Sequence, residues 1–119
     1  MTVENFEDLD AWKKARKLAN EIYSVTPNNK FAKDYGLRDQ IQRASVSVMA
    51  NIAEGFDSNS DEDFIRFLKY ALRSATEIQS HLYVAKDQNY ISEDDFDHIY
   101  SNTIAIKNLI SGLIRYLKG

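Results

Sequence analysis

The chain contains no cysteine. That excludes disulfides, thiolate metal sites and a cysteine nucleophile, and it fits a reducing cytoplasm, where the protein is expected to reside. Breakers are scarce as well: 119 residues include one proline and four glycines. So few of them point to long, uninterrupted helices. Long hydrophobic runs are missing. The longest stretch without a charge in the middle of the chain is Ala44 to Ala53, far short of the roughly 18 apolar residues a membrane span needs. Met1 to Asp10 carries acids and no apolar h-region, so no signal peptide is read and no membrane partner is expected. An excess of basic residues is lacking too. The net charge of −3 does not mark a nucleic-acid binder, although it leaves room for a local basic patch.

What is present is the balance of a globular protein. Apolar residues make up 44% and charged residues 28%, enough for one domain whose core needs no covalent staples. Residues 1–119 read as a single all-α domain of four helices, because the apolar residues recur three and four apart. The first helix spans about Leu9 to Val25, with Asp8 or Asn5 as its N-cap. Trp12, Ala15, Ala19, Ile22 and Thr26 share one face, and Lys13, Lys14, Arg16 and Lys17 lie opposite. Pro27-Asn28-Asn29 ends it, since the residue before a proline avoids the helical region. The second helix runs from about Asp34 to Glu54, with Leu37, Ile41, Ala44, Val48 and Asn51 in its seam and Gly55 at the left-handed position after its end.

The third helix starts at Ser60, an N-cap followed by Asp61, Glu62 and Asp63 at the positive end of the macrodipole. Phe64, Leu68, Ala71, Ala75, Ile78, Leu82 and Ala85 then alternate steps of four and three, the seam of a supercoiled bundle. The fourth helix is capped by Ser92, with Ile91 and Phe96 placed as a hydrophobic staple. Its seam is Phe96, Ile99, Thr103, Ile106, Ile110, Leu113 and Leu117. No strand competes. Four helices joined by short loops run antiparallel, so an up-down-up-down four-helix bundle is expected.

One helix carries more apolar surface than such a bundle can cover. The second helix uses Ile41, Ala44 and Val48 in the seam, yet Val46, Met49, Ala50 and Ala53 form another cluster facing outward. A helix that is apolar all round is buried all round. Ala44, Ser45, Ser47, Ala50 and Ala53 are small enough for another backbone to approach closely. The functional reading is an oligomer interface at Val46, Met49, Ala50 and Ala53. The alternative is an exposed face of modest polarity, which monomers tolerate.

Several stretches carry a family likeness: Phe6-Glu7-Asp8-Leu9 with Trp12 and Ala15; Tyr35-Gly36-Leu37; Gln40-Ile41-Gln42-Arg43-Ala44-Ser45-Val46-Ser47; Asn51-Ile52-Ala53-Glu54-Gly55, the most specific; Phe64-Ile65-Arg66-Phe67-Leu68 with Ala71, Ser74 and Glu77; and Asn89-Tyr90-Ile91-Ser92. Over essentially its whole length the chain resembles the bacterial four-helix-bundle family first found encoded in intervening sequences of 23S ribosomal RNA genes. That family also includes the accessory variability proteins of diversity-generating retroelements. The resemblance implies a ring-like homopentamer, which agrees with the second apolar face. Retroelement members are basic and bind nucleic acid and a reverse transcriptase; the acidic balance of this chain departs from them. The link to ribosomal RNA is one of gene location and does not imply a ribosome component.

Among the charged residues, Arg66, Lys69 and Arg73 lie on the outward side of the third helix, with Arg38 and Arg43 on the second. Together they read as a phosphate-binding strip, or as a solvated face in which Glu62 pairs with Arg66 and Glu77 with Arg73 at helical spacing. The Lys13, Lys14, Arg16, Lys17 cluster reads as a solvated face. Asn51 and Glu54 read as lining a functional pocket or, in the favoured structural role, as holding the turn after the second helix or an interface by hydrogen bonds to backbone groups. Glu77 with His81 and Asp95 with His98 do not reproduce the spacing of a di-iron bundle, so no metal and no cofactor are expected. No catalytic triad or glycine-rich phosphate loop can be assembled. The expected protein is a non-enzymatic homo-oligomer that binds RNA or DNA without reading sequence, or else a protein-interaction scaffold without nucleic acid.

Overall fold

The computed structural model describes all 119 residues. It is all-helical, with five α-helices and no strand: α1 (Asp10–Val25), α2 (Asn29–Lys33), α3 (Tyr35–Phe56), α4 (Asp61–Asp87) and α5 (Glu93–Lys118). A 3₁₀ turn, Phe6–Asp8, leads into α1. The molecule measures 45 × 22 × 20 Å, long in one direction because α4 alone is 27 residues, about 40 Å at 1.5 Å per residue. In space α3 packs on α4, α4 on α5, and α1 against both α3 and α5. The Ser74 hydroxyl donates to the Ser47 hydroxyl at 2.9 Å, and Gly55 lies against Phe64 and Phe67. Positions thus rise along α3 as they fall along α4, so the two helices are antiparallel.

The core follows from the apolar stripes. In α4 the buried residues are Phe64, Leu68, Ala71, Ala75, Ile78, Leu82 and Ala85, the seam expected from spacing alone. Each fully buried leucine or isoleucine there contributes about 1.5–3 kcal/mol of transfer free energy. Ser60 and Ser92 cap α4 and α5 by accepting from the Asp63 and Asp95 backbone N–H groups, and Ile91 and Phe96 are both buried in one core cluster. Three buried polar side chains, Thr26, Ser45 and Thr103, are satisfied locally: Thr26 accepts from Gln42 at 2.8 Å, Thr103 accepts from Gln79 at 2.9 Å, and Ser45 donates to the Gln42 carbonyl at 2.7 Å.

Several local expectations are corrected. The N-cap of α1 is Leu9, without a side-chain cap, rather than Asp8 or Asn5; Leu9 is buried in the core, and that apolar anchor sets where the helix begins. The segment after Pro27 is a fifth, short helix, α2, which buries Phe31 and stacks it on Tyr90 with centroids 5.3 Å apart. Gly55 is not a left-handed terminus: it lies inside α3, which continues to Phe56 with Asp57 as C-cap. Its missing side chain serves packing, because a Cβ there would stand 2.8 Å from Phe64 Cδ1 and Phe67 Cβ. The left-handed positions before Gly119 are Asn29 and Asn89. The seam of α3 turns from Asn51 to Ile52, and that of α5 from Leu113 to Ile114. A helix of 3.6 residues per turn drifts about 20° per heptad against a strict seven-residue repeat.

Candidate nucleic-acid interface and subunit face

The outward surface of α3 is what its buried stripe leaves over. Ile41, Ala44, Ser45, Val48, Ile52 and Gly55 point inward, so Val46, Ala50 and Ala53 fall on the opposite side. Val46 is 44% exposed, Ala50 is exposed, and Ala53 and Met49 are half-buried. Met49 packs against the core cluster and belongs to the edge of the core. Val46 shares a shallow depression with Tyr23 of α1 and Arg43. A polar line closes the α3–α4 groove below this face: Asn51 donates to the Ser47 carbonyl at 2.9 Å and to its hydroxyl at 3.0 Å, and Ser74 donates to the same hydroxyl. Asn51 thus has a structural role, satisfied within α3. Glu54 is exposed, beside Asp57, Ser58, Asp63 and Phe67 at the turn into α4.

The five expected cations do not gather as one strip. Arg38 is occupied: it donates to the Ala32 carbonyl at 3.0 Å, pairs with Asp39 at 3.0 Å, and covers the Tyr35 ring at 4.8 Å. The Ser47–Ser74 contact sets Arg43 roughly level with residue 78, about 7 Å along the axis from Arg73, and Arg38 about 15 Å from it. Arg43, Arg66, Lys69 and Arg73 are exposed; Arg66, Lys69 and Arg73 follow one another at three and four residues on the outward face of α4, and Arg43 lies on α3. Within this group Arg66 pairs with Asp63 at 3.4 Å, whereas Arg43, Lys69 and Arg73 form no ion pair.

The expected pairings at four-residue spacing are replaced by others. Arg66 turns to Asp63 rather than Glu62 because its guanidinium lies over the Phe67 ring, 5.3 Å from the centroid, and Asp63 is one turn before Phe67. Glu77 meets His81 at 3.1 Å, not Arg73, whose guanidinium covers the Tyr70 ring at 5.6 Å. Phe67, which the sequence marks only as part of a family stretch, and Tyr70, which it does not single out, therefore belong to this surface. The signal that would have found them is an aromatic residue within one turn of each arginine.

The remaining charged groups are dispersed. Lys13, Lys14, Arg16 and Lys17 are exposed on α1, with Arg16 over Trp12 at 5.9 Å. His98 pairs with Glu21 of α1 rather than Asp95, and Asn102 donates to the same Glu21 at 2.7 Å. No three residues among His, Asp and Glu converge on a common point. The largest cleft, about 610 Å³, lies between the start of α1 and the end of α5. It is lined mainly by apolar groups, among them Leu9, Leu109, Leu113 and Tyr116.

Residues 7–112 match the family model described as 23S rRNA-intervening sequence protein. Among solved structures, the chain is similar to a protein with unknown function from the S23 ribosomal protein family of Bacteroides thetaiotaomicron VPI-5482, whose crystal structure was determined at 1.70 Å. The two are 28% identical, the similarity covers 87% of this chain and 97% of that one, and the TM-score is 0.80. No curated protein matches the chain.

Proposed function

The chain belongs to the 23S rRNA-intervening sequence protein family, and on that premise we propose that it is a non-enzymatic, homo-oligomeric accessory protein that binds nucleic acid without reading its sequence. In this reading α1, α3, α4 and α5 form one up-down-up-down four-helix bundle. Copies meet through the outward face of α3, at Val46, Ala50 and Ala53, in a ring for which the family resemblance suggests five subunits. The protein works in the cytoplasm. The observation that carries the binding function is that Lys69 and Arg73 stand exposed beside Arg66 on the outward face of α4, that Arg43 is exposed on α3, and that Arg43, Lys69 and Arg73 have no carboxylate partner. Arginine and lysine contacts to phosphate dominate sequence-independent affinity. A ring repeats the cluster once per subunit, so weak contacts add through multivalency and an acidic chain can still hold a polyanion. The kinship with accessory variability proteins of retroelements is part of the same proposal. The alternative, a protein-interaction scaffold, draws on Arg38 and Arg66 already being engaged by Asp39 and Asp63.

A titration of the full chain against RNA and DNA over a salt series tests the proposal. Affinity is expected to fall steeply with salt, and Arg73→Ala to weaken binding to all sequences alike while flattening the salt slope by about one unit. Absence of retention at about 50 mM salt, where electrostatic binding is strong, overturns the nucleic-acid reading in favour of the scaffold.

A further inference from the structure

The α4 surface that carries Arg66, Lys69 and Arg73 also carries two aromatic rings. Phe67 and Tyr70 meet edge to face, with centroids 6.0 Å apart and planes at 89°. The Arg66 guanidinium caps Phe67 and the Arg73 guanidinium caps Tyr70. The four side chains form one continuous ladder, Arg66–Phe67–Tyr70–Arg73, about 10 Å long on the helix axis. Phe67 is anchored, since it packs against Gly55 at the α3–α4 crossing. Tyr70 is 39% exposed, and Arg73, whose guanidinium lies over it, is exposed as well.

We propose that this ladder is a stacking platform for unpaired bases, so that the ligand is a single-stranded nucleic acid. The inference rests on the nucleic-acid reading above and specifies its substrate. Charge alone does not distinguish a duplex from a single strand, because both present phosphates. An aromatic ring does. In a duplex the base faces are occupied by their neighbours, so a side chain meets only base edges and the backbone. An unpaired base offers its face to Tyr70, or to the planar guanidinium of Arg73, while its phosphates lie among Arg73, Lys69 and Arg43. Every base has such a face, so stacking adds affinity without sequence preference, and arginine reinforces it through cation–π attraction. Asp63 partly neutralises the Arg66 end, which places the binding centre at Tyr70 and Arg73.

The test is a fluorescence-anisotropy titration of the full chain at about 50 mM salt with three labelled probes of matched charge: an oligothymidylate, an abasic oligomer and a DNA duplex. The oligothymidylate is expected to bind most tightly. Tyr70→Ala is expected to weaken it about tenfold while leaving the abasic and duplex probes and the particle mass from light scattering unchanged; Tyr70→Phe keeps the ring and binds like the parent. Equal affinity for the three probes, or an equal loss on all of them in Tyr70→Ala, overturns stacking and leaves the charge-based reading standing. A change of mass in Tyr70→Ala overturns it too, by showing that the ring is packed between copies. Retention of none of the probes overturns the nucleic-acid reading itself, and stacking with it.

Discussion

Gly55→Ala separates two roles for one glycine. On helix propensity alone the change stabilises, by at most about 1 kcal/mol, since Gly55 lies within α3 and without a positive φ. Packing predicts the reverse. The added methyl would stand 2.8 Å from Phe64 Cδ1 and from Phe67 Cβ, and 3.3 Å from the Phe64 carbonyl oxygen, where non-bonded carbons prefer about 3.5–4.0 Å. Rotating Phe64 relieves only the first contact; the other two atoms are tied to the α4 backbone, so the helices must part where they cross. Overpacking of this kind costs about 1–3 kcal/mol. Subtracting the full propensity gain leaves a net loss of up to about 2 kcal/mol, or a fall in melting temperature of up to roughly 10 °C for a domain of this size. Far-ultraviolet circular dichroism melts at matched protein concentration measure it, concentration being held because assembly would shift the midpoint. Gly55→Asn sharpens the test. A left-handed helix end tolerates asparagine, whereas the crossing must accommodate the same Cβ plus an amide, so the asparagine variant should lose at least as much as the alanine one. A Gly55→Ala protein melting at or above the parent, or a milder loss for Gly55→Asn, would refute the packing argument.

Leu68 is fully buried in the α4 seam, so Leu68→Asp buries an unpaired charge and should cost more than about 3 kcal/mol; a cooperative melt like the parent's would show the α4 register to be wrong. Ala50→Glu should lower the mass seen by light scattering toward 13.7 kDa with helicity retained, and a parent that already runs at that mass removes the case for the α3 face as an interface. The Tyr90 hydroxyl donates to Asp34 at 3.0 Å, and that bond, followed by burial and the carboxylate charge, raises its pKa above 10.0. The folded state holds this proton more tightly than the unfolded chain. The contact therefore contributes stability below pH 10.0 that is lost as pH climbs through the raised value. Tyr90→Phe should be less stable at neutral pH and lose less than the parent between about pH 9 and about pH 11; parallel pH profiles would contradict the assignment.

The four long helices and the inward face of α4 were written in the chain, whereas the face expected for α1 missed Ala11, Leu18 and Val25 and included the half-buried Trp12. Each apolar position of α4 named from spacing is buried, because twenty-seven residues repeat the pattern often enough to identify the face. The serine caps of α4 and α5 were equally legible, since capping depends on residues within one turn. The open apolar side of α3 could be seen as ten residues without a charge. Where a single residue decides, the pattern was too coarse. Asn51 against Ile52, and Leu113 against Ile114, differ by one step, and the drift between 3.5 and 3.6 residues per turn decides them only once the neighbouring helices are in place. α2 is five residues long, too short for periodicity; it forms where Phe31 meets Tyr90, a residue remote in sequence. Gly55 looked like a helix end because glycine commonly terminates helices, but the need for close approach came from Phe64 and Phe67 across the crossing. The cations illustrate the same limit. Spacing permitted Arg66 to pair three or four residues away, and the Phe67 ring selected Asp63. The chain alone determines which surfaces are apolar and which are charged, since these are sums over many residues. Which atoms meet on those surfaces is decided by tertiary packing, because contacts of a few ångströms depend on how neighbouring helices and rings divide the same space.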